Sequence, residues 1–204
     1  MDNLRLTVFD VFSYILPGVC MLVSVLWGIN RITISDLSNL IANMNINIIL
    51  FYIFVSYLLG FVVDAFSIVS IYKITDKILG KFSNRIIKEH NNKNSDNLID
   101  EYHFSKIYSF SEIKHKDARE KADQFLAMSG LARNLCFTFI ITVLVIIIKN
   151  MLAFSYINWL NMIGQLVSFF ALSYLLMIRA DIFRRWAHSH LLDIYVLEKH
   201  LKKE

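Results

Sequence analysis

Apolar residues are concentrated in four blocks of the chain, and polar segments separate these blocks. The blocks cover residues 9–29, 46–71, 135–154 and 156–178. A stretch of about 20 apolar residues is long enough to cross the hydrocarbon layer of a membrane as a helix. The pattern therefore predicts an all-α integral membrane protein with about four transmembrane helices. Because only a tight turn fits between the last two blocks, they are expected to form an antiparallel hairpin.

Lysine and arginine are distributed unevenly between the segments that join these blocks. The segment 73–133 holds twelve of them and the tail after Ile178 holds six, whereas the connection 30–45 contains only Arg31. Basic residues near membrane helices stay on the cytoplasmic side. The middle segment and the C-terminus are therefore expected inside. An even number of spans also places the N-terminus there, and the protein belongs in a bacterial inner membrane.

The middle segment 73–133 is expected to form cytosolic helical extensions rather than an independent domain. Residues 73–90 continue the helical period of the second span, and 91–97 is polar and turn-forming, which predicts a flexible tip. Helix resumes towards the third span, with a kink or helix break expected at Ser129-Gly130. The extensions are expected to pack on one another or on a neighbouring subunit, and residues 179–204 should form a basic C-terminal helix.

Composition agrees with this architecture and offers little chemistry. The chain is 56% hydrophobic, above the roughly 45–50% of soluble domains, and its formal net charge is +4. Cys20 and Cys136 both lie in apolar runs, where they are expected to act as small buried hydrophobic residues. The sequence offers no metal-ligand spacing, phosphate loop or paired catalytic groups, so we expect no cofactor, no metal, no small-molecule substrate and no enzymatic activity.

Four ionisable residues are predicted to lie at membrane depth near the inner leaflet. They are Asp64 in the second span, Arg133 at the inner end of the third, and Arg179 and Asp181 at the inner end of the fourth. Charges at this depth are costly and need partners. Asp64 is expected to pair with Arg133 or Arg179. The cluster either fixes the register of the helices or forms a polar constriction in an oligomeric pore.

Asn158, Asn161 and Gln165 recur at helical spacing and predict a polar stripe on the fourth span. Such a stripe either bonds to a neighbouring helix or faces water. The two options correspond to a plain bundle and to a conduit.

Arg185 and His190 are separated by four residues, and Arg85 and His90 repeat this spacing. The pattern resembles the R-x4-H signature of HEPN ribonucleases, in which Arg and His act together on the RNA backbone. The simpler interpretation is a basic juxtamembrane helix, with Arg184, Arg185 and His190 near the lipid headgroups.

The segment Asp10–Gly18 reads D-x-F-x-Y-x-x-P-G. With the four-span layout and the basic tail, it resembles the small multi-span accessory protein of type VI-B CRISPR loci, which target RNA, or a related phage-defence membrane effector. The resemblance implies a non-enzymatic, self-associating protein of the inner membrane that alters membrane integrity or acts on a soluble nuclease, with RNA as a further possible ligand of its cytosolic face. The alternatives are a membrane tether without pore activity and a membrane-bound ribonuclease that uses Arg185 and His190.

Overall fold

The computed structural model describes residues 2–28, 45–93, 104–152 and 159–201, and helices make up nearly all of this part. The helices are α1 (Asp2–Gly28), α2 (Ile46–Leu79), α3 (Phe82–Lys93), α4 (Phe104–Lys114), α5 (Lys116–Leu152) and α6 (Trp159–Leu201). No strand occurs among the described residues, which confirms the all-α class. The turn between the last two spans, residues 94–97 of the predicted tip, and Asn158 lie outside them.

Four of these helices, α1, α2, α5 and α6, are long and apolar enough to cross a membrane. Their apolar stretches coincide with the four blocks of the sequence, so the four long apolar helices predicted as membrane spans are present. Most large apolar side chains on the outward faces of α2 and α6 are exposed, among them Phe51, Phe54 and Phe66 on α2 and Leu160 and Phe170 on α6. These are the surfaces that lipid would cover.

Three of the four membrane helices are much longer than a membrane is thick. The helices α5 and α6 have 37 and 43 residues, and at 1.5 Å per residue they measure about 55 and 65 Å, against about 30 Å of hydrocarbon. The polar ends of α5 and α6, residues 116–131 and 179–201, pack with α3 and α4. We call this assembly the polar bundle.

The polar bundle has its own apolar core, which confirms that the helical extensions pack on one another. The core is formed by Phe82, Ile86, Ile107, Ala118, Ala122, Ala187, Leu191 and Leu192. Alanines on the facing sides of α5 and α6 allow these two helices to approach closely, while larger side chains from α3 and α4 close the remaining sides.

Of the kink or helix break expected at Ser129-Gly130, the break is wrong, because α5 runs unbroken through both residues. Ser129 is fully buried, and its hydroxyl donates to the carbonyl oxygen of Ala180 on α6, with 2.7 Å between the oxygens. The small residues serve a close helix contact here rather than a turn.

Residues 73–90 are helical, as predicted, but they do not form one continuous helix. The helix α2 ends at Leu79 and α3 begins at Phe82. Between them Gly80 has φ 87°, a conformation that side-chain-bearing residues rarely adopt. This glycine redirects the chain so that α3 packs against the polar end of α6.

The helices α1 and α2 cross where both present a glycine. A Cβ at Gly60 would lie 1.9 Å from the carbonyl oxygen of Tyr14, and a Cβ at Gly18 would lie 1.7 Å from that of Ser56. Small residues allow membrane helices to approach this closely. The crossing brings Ser13 and Tyr14 of α1 to the same cavity as Asp64, one turn further along α2.

Candidate functional site

Asp64 on α2 and Arg133 on α5 form a buried ion pair where the membrane helices meet the polar bundle. Arg133 is only 7% exposed, and its Nη2 donates to Oδ1 of Asp64. Arg133 is one of the two partners predicted for Asp64. The pair follows from the cost of an isolated charge at this depth, which favours a carboxylate and a guanidinium in direct contact.

The other two nitrogens of the arginine donate to neutral hydroxyl groups. Arg133 Nε donates to the Ser67 hydroxyl at 2.9 Å, and Nη1 donates to the Tyr72 hydroxyl at 2.9 Å. Because Ser67 and Tyr72 both lie on α2, the guanidinium fixes the register of α5 against α2.

Asn134 ties the third helix into the same network. Its Nδ2 donates to Oδ1 of Asp64 at 3.0 Å and to the carbonyl oxygen of Ser13 on α1 at 3.2 Å. Its Oδ1 accepts from the Ser67 hydroxyl at 2.6 Å. We call Asp64, Ser67, Tyr72, Arg133 and Asn134 the seam network, because they join α1, α2 and α5 at the seam between membrane helices and polar bundle.

A cavity of about 420 Å³ opens beside the seam network. Asp64, Arg133 and Asn134 line its membrane end, and Tyr108 and Arg119 line its polar end. The cavity thus gives water, an ion or a small polar ligand a place next to the buried charges.

The polar end of this cavity holds a second, smaller polar group. The Tyr108 hydroxyl donates to Oδ1 of Asp123 at 2.6 Å, and Arg119 lies over the tyrosine ring with its Cζ 4.8 Å from the centroid. Burial, together with the hydrogen bond to Asp123, raises the pKa of Tyr108. The phenol therefore remains a hydrogen-bond donor at neutral pH.

The four predicted membrane-depth charges do not form one cluster, since Arg179 and Asp181 lie apart from the seam network. The Asp181 carboxylate instead accepts hydrogen bonds from both terminal nitrogens of Arg85, with N–O distances of 2.6 and 2.9 Å. The Asp181 side chain is 2% exposed. Arg179 is exposed and lies over the ring of Phe183. Side chains two positions apart on a helix point about 200° apart. Arg179 and Asp181 therefore have different environments on α6.

Arg184 and Arg185, which the sequence predicts near the lipid headgroups, have partners within the protein. The Cζ of Arg184 lies 4.1 Å from the ring centroid of Tyr72 and 3.9 Å from that of Phe82. Arg185 pairs with Asp181 and, more distantly, with Glu89. Both arginines therefore face the interior of the polar bundle.

Arg185 and His190 do not share a site. Arg185 contacts α3, whereas His190 lines a different cavity with Lys114, Lys116 and Lys121. The side chain of His90, in the second match to this spacing, lies outside the described residues. The ribonuclease alternative needs both groups at one phosphate, and this arrangement gives it no support.

Of the polar stripe, Asn161 is exposed and Gln165 is half-buried on α6. Among the described residues, no group of three or more His, Cys, Asp and Glu side chains is placed to hold a metal ion.

Ser67, Tyr72, Asn134 and Arg85 were not identified from the sequence as site residues. Two of them carried a signal: Asn134 directly follows Arg133, and Ser67 lies one helical turn after Asp64. Arg85 and Asp181 are 96 positions apart, and their contact depends on how α3 turns at Gly80.

Comparison with protein-family models, curated proteins and solved structures found no match to this chain.

Proposed function

We propose that the chain is a non-enzymatic effector or accessory protein of bacterial antiviral defence. It resides in the inner membrane with both termini in the cytoplasm, self-associates, and changes membrane integrity or the activity of a soluble partner nuclease. The defence context rests on the resemblance of Asp10–Gly18 and of the span layout to the accessory proteins of type VI-B CRISPR loci.

One observation carries the effector function: the helices that cross the membrane are also the helices of the polar bundle. Both α5 and α6 pass from one to the other without a break, and the seam network joins α5 to α1 and α2 at the crossing point. A rigid helix transmits displacement along its length. An event at the polar bundle therefore has a direct mechanical route to the membrane helices.

The charge distribution supports the cytoplasmic placement of the polar bundle. Its segments carry most of the basic residues, twelve in 73–133 and six after Ile178. Translocating that many charges is disfavoured, and lysine and arginine near spans remain inside.

The outer face of α6 supports self-association. Asn161, Gly164 and Ser168 are exposed there, at positions that face lipid in a single protomer. Small residues with an amide nearby favour close, hydrogen-bonded helix pairs in membranes. A second copy of the chain would cover them.

The direct test is to measure membrane potential and dye entry in bacteria that make this protein, alone and beside its genomic neighbours. An effector depolarises the membrane or admits dye in at least one of these conditions. An intact membrane in every condition, with the protein present in the membrane fraction, would rule out the effector function.

A membrane tether is the second candidate, and the position of the cavities favours it. The cavities next to Asp64 and next to His190 both have polar-bundle residues in their walls, as a docking platform for a soluble partner would. A tether co-purifies with its partner and leaves the membrane potential unchanged, which separates it from the effector.

A further inference from the structure

A second cavity, of about 560 Å³, lies at the end of the polar bundle where α4 ends and α5 begins. Basic side chains dominate its lining: Lys114, His115, Lys116, Lys121 and His190. Asp117 is the acidic residue of the lining. We call this the distal basic cavity.

The basic groups of this cavity are only partly neutralised by nearby carboxylates. Glu198 on α6 pairs with Lys114 and with Nε2 of His115. Lys116 and Lys121 are exposed. Their ammonium groups remain available to an anion that enters the cavity.

The backbone adds positive potential at the same place. The carbonyl of His115 accepts from the amides of Ala118 and Arg119, both at 3.1 Å, and so starts α5 there. The positive end of the dipole of this 37-residue helix lies at this point. Lysines around a helix N-terminus match the chemistry of a phosphate group.

With the seam network at the membrane surface, as the proposed function has it, the cavity lies too far out to serve lipid headgroups. Lys116 and Arg133 lie on the same unbroken helix, 17 positions apart, which corresponds to about 26 Å along its axis. A ligand of this cavity therefore comes from the aqueous phase.

We propose that the distal basic cavity binds phosphate groups of a soluble ligand, either a nucleoside polyphosphate or the backbone of a single-stranded RNA. Lys116 and Lys121 contact the phosphate oxygens, and the N-terminal end of the α5 dipole adds positive potential. The proposal concerns binding alone, so it stands or fails independently of any effect on membrane potential.

The test is a binding titration of the full chain in nanodiscs with inorganic pyrophosphate, a nucleoside triphosphate and a single-stranded RNA oligonucleotide. The variant Lys116→Gln/Lys121→Gln removes two exposed charges from the cavity. The matched control, Lys88→Gln/Lys106→Gln, removes two exposed charges that do not line it. We expect the cavity variant to bind at least about 10-fold more weakly, as for the loss of charge-assisted hydrogen bonds, and the control to stay within about 3-fold.

The arms with different ligands identify the source of the phosphate. If the triphosphate binds as tightly as the RNA, the ligand is a nucleotide. If the RNA binds much more tightly, the ligand is an RNA backbone. For RNA, the slope of log affinity against log salt should become shallower by about 1.4 in the cavity variant, since each lost phosphate contact contributes about 0.7. The proposal is wrong if the wild-type chain binds none of the three ligands, or if the control variant loses as much affinity as the cavity variant.

Discussion

At the scale of single residues, the seam network shows how a charge is accommodated near a membrane. Arg133 has five N–H donors, and Asp64, Ser67 and Tyr72 accept from all three of its nitrogens. Removing one partner leaves the other charge buried without compensation, which costs far more than the pair contributes on its own.

Asp64→Leu and Arg133→Leu should therefore each lower the free energy of unfolding by about 3–5 kcal/mol, because each strands a buried charge. The double variant should lose less than the sum, since two apolar side chains of similar size leave no charge unpaired. Unfolding measured in micelles for the two single variants and the double variant tests this.

Arg179→Leu is the control for these variants, because Arg179 is exposed and lies over a single ring. Its loss should cost no more than about 1 kcal/mol. Additive effects of Asp64→Leu and Arg133→Leu would contradict the direct pairing.

Tyr108 gives the polar end of the cavity a pH dependence. Its pKa is raised in the folded protein, so its contribution to stability is complete below the unfolded pKa of about 10 and is lost as the pH rises through the folded value. Tyr108→Phe should remove this alkaline loss. It should also cost about 1 kcal/mol at neutral pH through the missing bond to Asp123.

Unfolding curves collected between neutral and alkaline pH, with absorbance of the phenolate as a second readout, measure the effect of Tyr108→Phe. If Tyr108→Phe loses stability at alkaline pH just as the wild type does, other tyrosines cause that loss.

The contrast between Asp64 and Asp181 shows what sequence can say about single residues. The Asp64–Arg133 contact was predictable, because both residues interrupt or border apolar blocks and neither can remain unpaired there. The Arg85–Asp181 contact was not, because Arg85 sits in a polar segment where a solvated charge is equally reasonable. Its position depends on the turn at Gly80, which no periodicity reveals.

At the scale of elements, the α1–α2 crossing depends on the absence of side chains. Gly60→Ala would place a Cβ 1.9 Å from the carbonyl oxygen of Tyr14, a backbone atom that cannot rotate away. The helices must separate, and we expect a loss of about 1–3 kcal/mol in unfolding free energy.

Gly130→Ala is the matched control, because the nearest atom to its new Cβ, Nη2 of Arg133, is 3.9 Å away. This position is inside α5, so alanine should be neutral or stabilise by up to about 1 kcal/mol. Thermal unfolding of both variants checks the pair. Equal effects of the two substitutions would show that the crossing is not as close as described.

The helices themselves were largely predictable, but their ends were not. Apolar blocks of membrane length identified the cores of α1, α2, α5 and α6 because the bilayer imposes that length. Ser129-Gly130 has the composition of a break, yet it lies inside a helix, because the close contact with Ala180 needs small residues. Gly80 is also a residue typical of a helix interruption, and in contrast to Ser129-Gly130 the helix does end there.

At the scale of the whole molecule, the exposed face of α6 leads to a prediction about assembly. A Cβ at Gly164 meets nothing within 4 Å in the protomer, so Gly164→Leu should leave the fold intact. It should reduce self-association at least about 10-fold if a second copy packs on this face.

Crosslinking and mass measurement in nanodiscs, at matched protein-to-lipid ratios, report the association. Leu160→Ala, at an exposed position near the N-terminal end of α6, is the control and should change the self-association little. Self-association that is unaffected by Gly164→Leu would place the subunit contact on another helix.

The continuity of α5 and α6 makes the membrane helices and the polar bundle one mechanical unit, and the seam network is where that unit is most sensitive. A function that depends on this coupling must depend on the charges of Asp64 and Arg133 and be indifferent to Arg179, which lies outside the network.

The decisive measurement is membrane potential in bacteria that make the wild-type protein, Asp64→Asn, Arg133→Gln or Arg179→Gln at equal levels in the membrane fraction. We predict that the wild type and Arg179→Gln depolarise the cells, under the condition in which the wild type is active, and that Asp64→Asn and Arg133→Gln do not. Depolarisation that survives in both seam variants would contradict the coupling through the seam network, and a normal potential with all four proteins would contradict the effector function itself.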